Sequence, residues 1–494
     1  MEDYRFLINL QMADMNKYDV IIIGAGLGGL IAGAKLAKEG RKVLVIEQHD
    51  RPGGCATTFS RKGYTLEVGL HEMDGLDGRD MKTRIFRDLD VFNHVSFLKV
   101  TEFYRFVNER YDFIMPHDPE EAKTKLKGKF PGDEKGIDAF FHQILNARQI
   151  IKESGGKDNN LGAFLDSIIH TEDLKLILLG NLGYFHDDPY TLSLNYYSVA
   201  QGSYFAGGGN YIRGGSQKLS DYLAGYIMNN GGKVTLNHLA TGIIVHEAKA
   251  AGVVYRKRTG KDTGSEKAYA DIIIANAAIP TVADNLLPEK EGTDLGNAIK
   301  DKKIGASLLT VYFGFKTSLK SPGNKYYSTF IYDPSVKTQA DILKNNRGPF
   351  EQRSFTFVDY SQVDSDLAPE GKSVGAVCCI DYISEWENLG KEEYNMKKDE
   401  VARIFISKMD KLIPGFKNAI EFYEVGTSKT VERYTMNPRG AVYGFAQLPG
   451  VSPAENLKTV DNLYFASAWD KYGGGFSGVI YSGYMCAMDI LRRR

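Results

Sequence analysis

The plainest chemistry in this 494-residue chain lies in "IIIGAGLGGLIAG" and in one acid downstream of it. Gly24, Gly26 and Gly29 fill G-x-G-x-x-G, with Gly28 beside the last. The first glycine permits a tight turn, the second lets the backbone approach a pyrophosphate, and the third lets a helix pack closely on a strand. The helix N-terminus that follows offers N–H groups and the positive end of a dipole to an anion. Glu47, with Gln48 next to it, is placed to accept hydrogen bonds from ribose hydroxyls. Together these residues describe dinucleotide binding.

Such chemistry needs a strand, a turn, a helix and a second strand to hold it. "DVIIIGAGLGGLIAGAKLAKEGRKVLVIEQ" supplies them: a buried strand over Val20 to Ile23, a helix from about Gly28 to Lys38 and a second strand over Lys42 to Ile46. Directly after the acid comes a second glycine turn, Arg51-Pro52-Gly53-Gly54, and then "GYTLEVGLH", a short strand ending at His71.

At that spacing, the Arg51 to Gly54 loop resembles the second glycine motif of FAD flavoproteins. The chain as a whole resembles the phytoene desaturase, carotenoid isomerase and retinol saturase family of FAD enzymes. Four segments carry the resemblance: the N-terminal stretch, "YIRGGSQKLSDYL" (211–223), "NPRGAVYGF" (437–445) and "NLYFASAWDKYGGGFSGVIYSG" (462–483). The resemblance implies an α/β fold, with a discontinuous Rossmann-like FAD-binding domain built from 17–90, 210–300 and 423–494. A substrate-binding domain of mixed sheet and helices would take 91–209 and 301–422. It further implies that Ile244 lies on the adenosine side, and that Gly474, Gly475, Phe476 and Ser477 meet the flavin end at a helix N-terminus. The implied activity is hydride transfer at flavin N5 to or from a carbon–carbon bond of a conjugated polyene, in a saturase, desaturase or isomerase. An amine-oxidase-like flavoprotein and a non-catalytic prenyl-group binder share the scaffold. The intact glycines and Glu47 speak against the binder.

Desaturation or saturation also moves a proton, and His71 is the first candidate because imidazole titrates near neutral pH. Asp470 and Tyr472, at the start of the last glycine turn, are rivals. Aromatic residues crowd 184–211, and Tyr204 and Phe205 among them, with Arg439 and Tyr443, are expected at the substrate. An ordinary aromatic core and a plain salt bridge are the simpler readings of the same side chains.

Composition sets the surroundings. With 61 basic and 62 acidic residues, net charge −1, the chain carries no nucleic-acid footprint. Four cysteines in a chain of this length make neither a disulfide framework nor a metal-ligand spacing. The opening "MEDYRFLINLQMADMNK" lacks the pattern of a secretory signal, so a reducing, cytoplasmic setting is expected. The closing "MDILRRR" leaves peripheral membrane contact open. The electron donor or acceptor and the oligomeric state are not encoded in these motifs.

Overall fold

Val20, Ile22, Val43 and Val45 face one side of a sheet, and Ile21, Ile23, Leu44 and Ile46 face the other; each set is buried in its own hydrophobic cluster. That is why the two strands read as unbroken apolar runs: both faces of the sheet are covered. The computed structural model describes residues 17–78, 80–258, 264–451, 457 and 459–493. Residues 1–16 and Arg494, on which the readings of the leader and of the terminal arginines partly rest, lie outside these.

The first sheet has seven strands. Lys233–Thr235, Val43–Ile46, Lys17–Ile23 and Glu266–Ala275 run parallel in that order, and Lys249–Lys257 and His238–His246 extend the sheet antiparallel. Leu463–Phe465 pairs parallel with Ile273 to Ala275. The helix between the first two strands runs from Leu27 to Lys38. Against it lies the C-terminal helix, Gly475–Arg492, which starts two residues before the expected Ser477. The strand Glu266–Ala275 is followed by a helix that begins at Ile279.

A second seven-stranded sheet orders Ile420–Gly426, Ser307–Phe315, Ser373–Asp381, Phe355–Asp359, Ser328–Ile331, Tyr104–Val107 and Asp112–Met115. The helix Lys391–Leu412 shares a hydrophobic cluster with one part of this sheet, and helices between 119 and 207 share another with its far strands. Because Ile420–Gly426 pairs with Ser307–Phe315, the domain boundary expected at 423 falls inside a strand of this second sheet. Among the described residues no helix is long and apolar enough to cross a membrane.

Candidate functional site

The site lies where the strand Lys17–Ile23 ends and its glycine turn begins, at the carboxyl edge of the first sheet. The helix that follows starts at Leu27 from Gly26, and no side chain caps it, so its first amides are left to a ligand or solvent. A β-carbon at Gly28 would stand 2.2 Å from the Ala466 carbonyl oxygen, so only glycine admits the incoming last strand. The second glycine loop folds onto the first: the Gly53 amide donates to the Ala25 carbonyl at 2.7 Å, with Gly53 at φ +128.

Glu47 sits at the end of its strand, 5% exposed. Its carboxylate accepts from the Ala25 amide at 2.7 Å and from the His49 amide at 2.9 Å, and burial pushes its pKa above the ordinary value despite those donors. A glycine cradle, an uncapped helix N-terminus and a carboxylate beside them suit the diphosphate and ribose of FAD, so the residues present fit that cofactor.

The C-terminal helix forms the far wall. Gly474 precedes it, and a β-carbon there would lie 2.4 Å from Tyr443 Cα, which fixes Tyr443 against the glycine turn. Ser477 Oγ donates to the Asp74 carboxylate, and buried Lys82 holds the other Asp74 oxygen at 2.9 Å. Burial raises the Asp74 pKa, but the Lys82 ammonium and the hydrogen bonds from Ser203 and Ser477 together more than offset it, and the carboxyl ends below its ordinary value. Tyr481, one helical turn after Ser477, donates to Asp80 at 2.8 Å. Phe476 packs partly buried on the same cluster.

His71 Nδ1 lies 3.1 Å from the Tyr184 hydroxyl, ring edge to face. Burial lowers its pKa to about 4, so near neutral pH it is an uncharged imidazole able to accept a proton. Next to it, Glu72 is buried, and neither carboxylate oxygen has a hydrogen-bond partner among the described residues. Burial and the neighbouring Glu102 and Asp74 carboxylates push its pKa well above the ordinary value.

Several expected residues lie elsewhere. Arg439 is on the surface at φ +59, and among the described residues only its amide is engaged, donating to Glu432 Oε1 at 2.9 Å; no local pattern announces that left-handed turn. Ile244 is six residues, roughly 20 Å, along its strand from His238 and packs on Gly252. The residues at Glu47 are instead Thr235, whose carbonyl takes the Glu47 amide, and His238, whose amide donates to the Glu47 carbonyl. Phe205 sits between Phe103 and Phe141, with ring centroids 5.0 and 5.1 Å away, inside the helical core. Tyr204 stacks on Phe103 at 5.0 Å, and its hydroxyl donates to the Glu72 carbonyl at 3.4 Å. Asp470 accepts from Ser482 at 2.8 Å and Tyr472 meets Tyr481 edge-on, so both lean on the C-terminal helix. Gln48 donates to the Tyr434 carbonyl at 3.3 Å, and Arg51 to the Thr58 carbonyl at 3.1 Å while pairing with Asp50.

Other residues shape the site from outside the expected contact set, several of them within the motifs quoted above. Asn276 Nδ2 donates to the Gly24 carbonyl at 3.0 Å and braces the first turn. Glu67, buried, accepts from the Ser216 amide at 2.8 Å and its hydroxyl at 2.6 Å. Gln217 Nε2 donates to the Pro52 carbonyl at 2.9 Å, and Ser220 Oγ to the Ala56 carbonyl at 2.6 Å. The "YIRGGSQKLS" motif is therefore the support of the second glycine loop.

Behind Tyr184, which bonds His71, a cavity of about 60 Å³ opens between the second sheet and residues 180–186. Tyr184, Leu308, Phe330, Cys378 and Ile380 are among its walls, and no Asp or Glu lines it. Among the described residues no group of His, Cys, Asp and Glu is placed to hold a metal ion.

A family profile described as flavin containing amine oxidoreductase matches residues 27–491. The chain is 27% identical over 528 positions to "Prolycopene isomerase 2, chloroplastic" of an Oncidium hybrid cultivar, covering 97% of this chain and 84% of that one. It is 25% identical over 538 positions to "All-trans-retinol 13,14-reductase" of Danio rerio, covering 96% and 86%. Among solved structures, an oxidoreductase from Methanosarcina mazei superposes with TM-score 0.66 at 17% identity, covering 97% of this chain and 100% of that one. Wild-type putrescine oxidase bound to putrescine gives TM-score 0.66 at 16% identity, covering 97% and 99%.

Proposed function

We propose, from the premise that the chain belongs to the flavin containing amine oxidoreductase family, that it is a FAD enzyme acting on carbon–carbon bonds of a conjugated polyene. The observation that carries this reading is the cavity behind Tyr184, the residue that bonds His71. Aromatic, aliphatic and thiol groups make most of its walls, His186, Asn346, Ser354 and Thr356 are neutral polar additions, and no carboxylate among them would offset the cost of stripping water from an ammonium ion. The full-length similarity to an isomerase and a reductase whose names specify a carotenoid and a retinoid points the same way.

When bound, FAD supplies hydride transfer at its N5. The protein's own share is binding, exclusion of water and proton handling. In this reading the Gly24–Gly29 and Gly53–Gly54 backbones hold the diphosphate and Glu47 the ribose. The Gly475–Arg492 helix, pinned by Ser477 to Asp74, would meet the flavin end of the cofactor with its N-terminal amides, where the helix dipole would favour negative charge. His71, uncharged and held by Tyr184, accepts or returns a proton at Nε2. Residues 91–209 and 301–426 build the substrate-binding domain, the boundary being moved to the end of the last strand of the second sheet.

The test is anaerobic: photoreduced, FAD-loaded protein is mixed with a panel of polyenes. Return of the oxidised flavin spectrum with one of them supports saturase chemistry. Reduction of oxidised enzyme supports desaturase chemistry, and double-bond isomerisation without net flavin change supports an isomerase. Inert polyenes together with rapid flavin reduction by an amine would overturn the reading in favour of amine oxidation.

A further inference from the structure

The cavity behind Tyr184 is mostly apolar, with Asn346, Ser354, Thr356 and His186 among its walls. His186 stands out: its side chain is only 8% exposed, and its Nε2 is buried with no hydrogen-bond partner among the described residues. A buried ring nitrogen without a partner is costly, and protein interiors seldom leave one so. The other ring nitrogen is fixed: Nδ1 lies 2.9 Å from Asp187 Oδ1 and 3.1 Å from the Asp188 amide. Asp187 is itself held, accepting from the Tyr382 hydroxyl at 2.6 Å, while Asn346 of the cavity wall donates to its carbonyl at 2.9 Å. The imidazole is therefore locked in place. Tyr184, on the same cavity, bonds His71, so the cavity has a reactive side and a polar corner.

We propose that His186 Nε2 receives a hydroxyl at the end of an otherwise apolar substrate, and that this corner selects a polyene alcohol over the matched hydrocarbon. A hydroxyl both donates and accepts, so it satisfies Nε2 in either protonation state. The volume of about 60 Å³ suits a chain terminus, not a whole polyene. The proposal rests on the polyene reading above.

The experiment titrates FAD-loaded protein with a conjugated polyene alcohol and with the hydrocarbon of the same chain, following the flavin spectrum. Wild type is expected to bind the alcohol about tenfold more tightly, because a site built for a hydrogen bond rejects the ligand that lacks it. His186→Phe should lower that ratio about tenfold, with hydrocarbon affinity as the internal reference, and His186→Gln should restore part of it. Equal affinities in wild type overturn the proposal without any variant. An undiminished ratio in a folded, FAD-loaded His186→Phe protein overturns it as well. Hydrocarbon binding with no alcohol preference sinks the polar corner alone, whereas binding of neither polyene sinks the reading beneath it.

Discussion

Gly483 of the C-terminal helix meets the Gly28 carbonyl so closely that a β-carbon would stand 2.2 Å from its oxygen. Two helices that start at opposite walls of the cofactor cradle thus touch backbone to backbone. Gly483→Ala forces them apart, at an overpacking cost of about 1–3 kcal/mol. The expected outcome is a lower Tm together with weaker FAD retention, read by melting curves with and without added FAD. An unchanged Tm would mean that the helix pair yields easily.

Glu47→Ala removes the carboxylate assigned to the ribose and frees the Ala25 and His49 amides that it now accepts from. FAD affinity should fall at least ~10-fold, in line with the loss of charge-assisted hydrogen bonds. Quenching of flavin fluorescence on titration measures it. Wild-type affinity would remove the ribose role.

His71 and Glu72 bend the stability profile in opposite directions. The His71 pKa is lowered from 6.5 to about 4, so between those values the unfolded chain takes up a proton that the folded one refuses, and stability falls as pH drops below about 6.5. The full effect is at most roughly 3 kcal/mol. The Glu72 pKa is raised, so the folded state holds a proton that the unfolded chain releases, and stability falls as pH climbs above about 4.5. Denaturant melts across this range should show His71→Asn flattening the acid side and Glu72→Gln flattening the other. In turnover, His71→Asn should cost ~100-fold or more if the imidazole moves the proton.

Arg439 tests the opposite expectation. Its side chain is exposed, and its backbone is left-handed at φ +59, a region glycine enters freely. Arg439→Gly should leave FAD binding and kcat/KM unchanged and raise stability by up to ~1 kcal/mol. A large loss of activity would place the guanidinium at the substrate after all.

What the sequence made legible is local. The first strand, turn and helix follow from an apolar run, glycines and helical spacing within some thirty residues, and the structure places those elements over Lys17–Lys38. The supporting pairs are not legible because each is a long-range contact that no motif announces: Asn276 to Gly24 spans 252 positions and Ser216 to Glu67 spans 149. A resemblance places Ile244 on its strand but does not say which end of that strand lies at Glu47, and the structure puts His238 there. Phe205 packs between Phe103 and Phe141 because core and cavity draw on the same aromatic residues. His186 stood inside the noted aromatic crowd, but only the cavity shows that its Nε2 is left without a partner.

The tie between Asp74 and Ser477 spans 403 residues, and it also orders events in time. Synthesis proceeds at ~5–20 residues per second, so a ribosome that has finished one partner needs roughly 20–80 s to make the other. Through that interval the nascent chain already carries both glycine loops while one wall of the nucleotide cradle has yet to be made. Cofactor loading is thereby deferred until the Gly475–Arg492 helix has been made, and any cleavage that frees this helix would return the protein to the unloaded condition of its own nascent form.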